Sequence, residues 1–316
     1  MTVMQDDIDS LGRFDPRYVA FIAALEAVRP RLHRYCARMT GSIFDGEDIA
    51  QEAIFEAYRK LEQYDSGRPL APWLLRIAHN RCIDFIRRQK TRGAVENKAA
   101  LTDEIQEPDE TSGPWINRAL ERLVTHLPPK ERACVLLKDV FDYSLEETAE
   151  LVGSSVGGVK SALKRGRTKL ASHPAMTESP RAAETPEVHL LYAERFNRRD
   201  WDGLRELISE DAQLRISDIY AGRIQRNYFT RFEGMPFPFR LVAGDVDGQP
   251  VLMLFGGLAT GDIVSAVIRL DLFEERVVRI RHYTRCPWLM RTAHRIVVNG
   301  VRRILNQQAL EANMLA

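Results

Sequence analysis

One stretch, Phe141 to Leu170, restricts the fold more than any other part of the chain. Ser144 followed three residues later by Glu147 is a capping box, in which each side chain satisfies a backbone N–H at the start of a helix. That helix runs through Ala149 and Leu151 to Gly153, and Gly153-Ser154-Ser155 forms a tight turn. A second helix follows from about Val156, with Val156, Val159, Leu163 and Leu170 as its apolar stripe and Ser161, Lys164, Arg165 and Thr168 opposite. Between Lys160 and Lys169 there are five basic residues and no acid. A short capped helix, a Gly turn and a basic second helix make a helix-turn-helix, whose second helix fits a DNA major groove. The plain alternative is a helical hairpin with a basic solvent face, but cap, turn and charge coincide here.

Charge divides the rest of the chain. The 316 residues carry 45 Lys+Arg against 44 Asp+Glu, yet residues 96–114 hold six acids and one base, a net of −5. This acidic run ends in Glu107-Pro108-Asp109-Glu110-Thr111-Ser112-Gly113-Pro114, the composition of a linker. A second break, from Ser172 to Pro186, is rich in Pro, Ser, Thr and Ala. The expected layout is a module over 15–93, an acidic linker over 94–114, a second module over 115–171, a tether over 172–186 and a third module over 187–316. Cys36, Cys82, Cys134 and Cys286 lie far apart with no CxxC pair, so they read as reduced core thiols and neither a disulfide frame nor a zinc site. No apolar run reaches the roughly 18 residues of a spanning helix, and the start MTVMQDDID is no secretory signal. A soluble, cytoplasmic chain without membrane contact is the expectation.

The first module is helical nearly throughout. In Asp45 to Leu61, the residues Ile49, Ala50, Ala53, Ile54, Ala57, Tyr58 and Leu61 form one apolar stripe. Phe55 falls opposite, among Asp48, Gln51, Glu52 and Arg59. An isolated exposed aromatic is common; an aromatic inside a polar rim is also what a protein-docking surface looks like. Next comes a loop, Gln63 to Pro72, and then the basic segment Pro72 to Arg92 with Trp73 at its head. Arg76, Asn80 and Arg87 share one narrow arc, and Arg88 extends the positive charge. Aromatic and amide groups beside a basic groove suit unstacked bases of single-stranded nucleic acid.

The third module opens with a helical pattern and continues with strand-like runs at Ala212–Ile219, Phe239–Asp245, Val251–Phe255, Ile263–Phe273 and Val277–Tyr283. Asp247-Gly248 is a hairpin signal between two of them. A helical hairpin followed by an antiparallel sheet is an α+β arrangement. Asp218, His282 and Tyr283 are candidate pocket residues, and Trp288 to Asn306 reads as a basic helix packing on the other modules. Every basic residue here is Arg, which suits a docking surface within the chain and equally a compositional bias.

The first two modules together resemble an extracytoplasmic-function sigma factor of bacterial RNA polymerase. Asp45-Gly46-Glu47-Asp48-Ile49-Ala50-Gln51-Glu52 is similar to that family's polymerase-binding helix, and Pro72-Trp73-Leu74-Leu75-Arg76-Ile77-Ala78-His79-Asn80 to its promoter-melting helix. Leu127-Pro128-Pro129-Lys130-Glu131-Arg132, Tyr143 to Ala149 and Val156 to Ser161 resemble its C-terminal DNA-binding region. The resemblance implies a multidomain protein, with a helical bundle and a helix-turn-helix followed by a third module similar to the SnoaL-like group of NTF2-like cones. It implies that Asp48, Gln51, Glu52, Phe55 and Arg59 bind core polymerase. Trp73, Arg76, Asn80, Arg87 and Arg88 would melt and hold the −10 element. Ser155, Gly158, Lys160, Ser161, Lys164 and Arg165 would read the −35 element. Promoter DNA would thus be met as duplex and as melted strand, while the acidic linker threads the polymerase's basic interior.

Two positions depart from the family pattern: Gly158 stands where Thr is usual, and Ala162 where Arg is frequent, which implies a lost DNA contact. No catalytic residue, cofactor or metal ligand is expected. The third module is expected to dock on the others as a regulator, with a small ligand as a further candidate partner. Two other classes stay open at this point: a ligand-sensing helix-turn-helix regulator, and an enzyme acting through the third module.

Overall fold

The computed structural model describes residues 16–65, 67, 69–100, 123–124, 126–172, 185–217, 219–224, 228–229, 232–233, 239–256, 264–284, 286–293, 295–298 and 301–303. The acidic linker beyond Ala100, most of the tether and Asp218 lie outside these residues. The chain divides into two compact units, one holding both N-terminal modules and the other the third.

In the first unit, α1 (Pro16–Thr40), α2 (Ile43–Arg59) and α3 (Leu70–Ala100) form a bundle. α2 begins where Ser42 Oγ accepts a hydrogen bond from the Asp45 N–H at 3.2 Å. Gly46 sits against α1, where a Cβ would come within 2.4 Å of the Ala37 nitrogen, so only Gly permits this close crossing. Leu32, Tyr35, Cys36, Met39, Ala53, Leu74, Leu75 and Cys82 fill the centre. Tyr58, expected in the apolar stripe of α2, is instead exposed, since the stripe is narrower than the helix-wheel arc drawn from sequence. α3 begins at Leu70, before Pro72, and so takes the end of the expected loop into its first turn.

The same unit continues with α4 (Pro129–Val135), a π-helical turn over Leu136–Val140, α5 (Leu145–Leu151) and α6 (Val156–Ser172). The capping box forms: Ser144 Oγ accepts from the Glu147 N–H at 3.0 Å, and the Glu147 carboxylate accepts from the Ser144 N–H at 2.7 Å. Gly153 turns the chain with φ +62°, a conformation that favours glycine. α6 packs through Val159, Ala162 and Leu163, and Gly166 lets it approach Val135, where a Cβ would lie 3.0 Å from a Val135 methyl. Ala133, Leu136, Leu137, Phe141 and Tyr143 belong to the same core as the three-helix bundle. The two N-terminal modules therefore share one hydrophobic core.

The second unit has α7 (Glu187–Asn197) and α8 (Trp201–Glu206), followed by one eight-stranded sheet ordered β2-β1-β6-β5-β4-β3-β7-β8. The strands are β1 Ile208–Ile216, β2 Tyr220–Arg223, β3 Phe239–Val246, β4 Gln249–Gly256, β5 Val264–Phe273, β6 Arg276–Thr284, β7 Ile296–Val298 and β8 Val301–Arg303. Asp247 (φ +53°) and Gly248 (φ +80°) make the β3–β4 hairpin turn at the expected place. Asn197 ties α7 to β3 by a reciprocal pair of 2.8 Å hydrogen bonds with the Leu241 backbone.

Two features differ from the sequence expectation. The sheet is mixed, because β1 pairs with β6 in parallel while the other pairs are antiparallel. The segment from Trp288 is also not one helix: α9 (Pro287–Thr292) is short, and β7 pairs with β8. Consecutive β-branched residues, Ile296-Val297-Val298, favour strand over helix, and the intervening Asn299-Gly300 is a strong hairpin dipeptide.

Candidate polymerase and nucleic-acid interfaces

On α2, Phe55 is half exposed, with Asp48, Glu52 and Arg59 on the accessible side of the same helix. Gln51 does not join that face. It is buried, and its amide donates to the Glu47 carboxylate at 3.1 Å, the carboxylate that also receives Arg29 at 2.8 Å. The physical reason is that a buried carboxylate needs donors on both oxygens' side, and Gln51 is one turn away from Glu47. Tyr58 takes the place lost by Gln51, lying beside Phe55 at i+3. Glu56 receives Lys60 and Arg81, each at 2.6 Å, which fastens α2 to α3. The hydrogen bond from Lys60, then that from Arg81, holds the Glu56 carboxyl below its usual pKa against the effect of burial.

Along α3, Arg76, Asn80, Arg87 and Arg88 are exposed, and Trp73 is half-buried against Tyr64 with ring centroids 4.8 Å apart. His79, beside Asn80, points the other way. Its Nδ1 lies 2.8 Å from the Tyr35 hydroxyl in the core, and burial lowers its pKa to about 4. A neutral ring accepts from that hydroxyl, so the backbone carrying Asn80 is anchored to α1.

On α6, Ser155, Lys160, Ser161, Lys164 and Arg165 are exposed, and Gly158 is half-buried. Ser155 Oγ accepts from the Gly158 N–H at 3.1 Å, so the helix start keeps a hydroxyl cap although position 158 has none. Ala162 is fully buried in the α4–α6 core. Its side chain faces away from solvent, so no DNA contact is lost there, contrary to the sequence expectation. Arg165 is not a simple solvent-facing cation: its Nε donates to Glu131 at 2.7 Å, and Lys169 donates to the other oxygen at 2.9 Å. Burial opposes the Glu131 charge, yet the Lys169 and Arg165 hydrogen bonds hold its pKa below the ordinary value. Lys138, Lys160, Lys164 and Arg167 line an open groove of about 460 Å³ beside Leu145 and Thr168.

Chain segments of these shapes match known families. Residues 24–92 match Sigma-70 region 2, and residues 117–170 match Sigma-70 region 4. The ECF RNA polymerase sigma factor SigG of Mycobacterium tuberculosis is 32% identical over 304 residues, covering 85% of this chain and 81% of that one. The chain belongs to the extracytoplasmic-function sigma factors. It therefore binds core RNA polymerase and promoter DNA and directs transcription initiation. The sigma factor SigW of Bacillus subtilis is 31% identical over 162 residues, covering 48% of this chain and 87% of its own. Among solved structures, the sigma factor SigJ of Mycobacterium tuberculosis is 16% identical, with 86% of this chain and 98% of that one aligned at a TM-score of 0.33.

In this sigma factor the two N-terminal modules are joined by arginines. The Arg31 guanidinium donates to the Phe141 carbonyl at 2.7 Å and lies 4.8 Å over the Tyr143 ring. Arg132 is buried and donates to the carbonyls of Leu123, Val124 and Leu127 in its own module and to that of Met39 in α1. Burial lowers the Arg132 pKa to about 10. Sequence reading found neither residue, because each acts on backbone oxygens brought close only by the fold.

In the second unit, His282 and Tyr283 point to opposite faces of β6. His282 is buried with its Nδ1 3.3 Å from the Tyr228 hydroxyl, and Tyr283 is buried on the other side of the strand. Tyr228 carried no sequence signal as a partner. Among the described residues, no helix is long and apolar enough to cross a membrane.

Proposed function

We propose that this sigma factor grips core polymerase with the α2 face of Asp48, Glu52, Phe55 and Arg59, extended by Tyr58. Trp73 and Asn80 hold an unstacked base of the −10 element, with Arg76, Arg87 and Arg88 on the phosphates. The start of α6 reads the −35 element through Ser155, Lys160, Ser161 and Lys164. The observation that carries this reading is Phe55, half exposed on a helix whose remaining apolar residues up to Ala57 are buried. An exposed aromatic within a charged rim is the anatomy of a protein-docking hot spot.

Residues 187–316, an NTF2-like module of the SnoaL-like kind, act as a regulator within the chain and do no chemistry of their own. The buried Tyr228–His282 pair supports this, since each ring satisfies the other. The protein works in the cytoplasm, where polymerase and promoters are. The test is run-off transcription from a duplex promoter with core polymerase. Asn80→Ala should still bind polymerase but give a weakened permanganate footprint of the melted bubble. A chain ending at Pro174 should transcribe at an altered level; equal output on several promoters would make the third module a passenger.

A further inference from the structure

The outer face of the β2-β1-β6-β5 half-sheet carries an arginine lattice. Cross-strand register places Arg215 of β1 opposite Arg281 of β6, and Arg281 opposite Arg269 of β5. The neighbouring row places Arg223 and Arg279 on either side of Gln213, with Asp271 beyond Arg279. Leu214, Ile216 and Ile280 alternate with these residues and enter the core, so the arginines share the opposite face. Asp271 accepts from Arg281 at 2.7 Å and from Arg279 at 3.4 Å, and Asp211 accepts from Arg223. Five guanidinium groups thus meet two carboxylates.

Like charges directly opposite one another on adjacent strands destabilise a sheet. The Arg215–Arg281–Arg269 row sets three cations side by side, about 5 Å from strand to strand. A row that weakens the free protein is explained by a ligand that neutralises it. Arg, with its planar fork of donors, recognises phosphate oxygens in pairs. Asp211 and the Glu274-Glu275 turn lie towards one end of the strands, so an extended polyanion would run across the strands along the row, away from that end.

We propose that this arginine row binds the phosphate backbone of duplex DNA, giving the sigma factor a third DNA contact outside its two sigma regions. DNA is favoured over an acidic protein because the chain already sits on promoter duplex, where a continuous line of phosphates is available. The inference rests on that family membership only for the choice of polyanion.

The experiment uses the full chain and a labelled duplex lacking any promoter, with binding followed by fluorescence anisotropy between 50 and 200 mM salt, roughly the range over which phosphate contacts are lost. Arg215→Gln with Arg269→Gln keeps side-chain length and leaves the Arg281–Asp271 pair intact. The slope of log affinity against log salt should become shallower by about two, near 0.9 for each phosphate contact removed. Arg215→Lys with Arg269→Lys should retain most of the slope. If the Gln variant unfolds, the exposed pair Arg223→Ala with Arg279→Ala repeats the measurement at little cost in burial. Lys164→Ala in α6 is the reference: a slope change there with none in the sheet variants overturns the proposal and leaves the sigma assignment standing. Loss of core-polymerase binding in the sheet variants at unchanged salt slope would assign the row to an acidic protein surface and also overturn it.

Discussion

Phe55 and His189 show how far single residues report on function and on stability. Phe55 is 50% exposed, so truncating it removes little buried surface. Phe55→Ala should weaken core-polymerase binding by roughly 2 kcal/mol, about thirtyfold, with the melting temperature unchanged. Titration of core polymerase with labelled protein checks the first, and a thermal melt the second. His189 is the opposite case: it is 1% exposed, and neither ring nitrogen has a hydrogen-bond partner. Burial lowers its pKa to about 4 from 6.5. The unfolded chain therefore takes up the proton first as pH falls. Stability is constant above about 6.5, declines between there and about 4 by up to roughly 3 kcal/mol, and is level below. His189→Leu should flatten this decline and raise stability at pH 7 by about 1 kcal/mol or more, because an orphaned polar ring is replaced by an apolar group of similar size. Urea titrations at pH 7 and pH 5 measure both. His79 follows the same pH logic, with its pKa also near 4, so the His189 variant should retain the part of the decline that His79 contributes.

At the scale of elements, the legible features were those with local causes. The Ser144–Glu147 box, the Gly153 turn and the Asp247-Gly248 hairpin are each written in two to four adjacent residues, and each forms. The α2 face with Phe55 was legible from helical periodicity, but Gln51 was not, because Glu47 and Arg29 draw it inward. Ala162 likewise reads as an absent DNA contact until α4 covers it. The parallel β1–β6 pairing depends on contacts between strands about 65 residues apart, which no window of sequence reports. On α6 the structure separates two neighbouring cations. Lys164→Ala should weaken DNA binding about uniformly and reduce the salt slope by about one, with no loss of stability. Arg165→Ala should in addition lower the melting temperature, since it leaves Glu131 with Lys169 as its charge partner from α6. Equal melting temperatures for the two variants would show that the Arg165–Glu131 pair contributes nothing to the α4–α6 contact.

At the scale of the whole first unit, the shared core sets a geometric conflict with the task. The −10 and −35 elements are about 25 base pairs apart, or roughly 85 Å along B-form DNA at about 34 Å for each ten pairs. A compact unit of about 150 residues has a radius of gyration near 15 Å and is about 40 Å across. With Tyr35 packed edge-on to Phe141 at 5.9 Å, and with Arg31 and Arg132 bonded across the modules, the two DNA-reading helices cannot reach both elements at once. The modules must therefore part when polymerase and promoter are engaged, and the free energy comes from those contacts. Arg31→Ala removes one carbonyl hydrogen bond and the cation over Tyr143 without touching Phe55, Asn80 or Lys164. It should raise the open fraction of free protein, and hence the apparent affinity for core polymerase, by about five- to tenfold if the lost contacts are worth roughly 1 kcal/mol or a little more. Labels on Arg88 and Lys164 positions should report a short separation in the free wild-type chain and one longer by tens of ångströms in the promoter complex. An unchanged separation in that complex, or an Arg31→Ala variant that binds polymerase more weakly, would mean that the closed unit is the form that works on DNA.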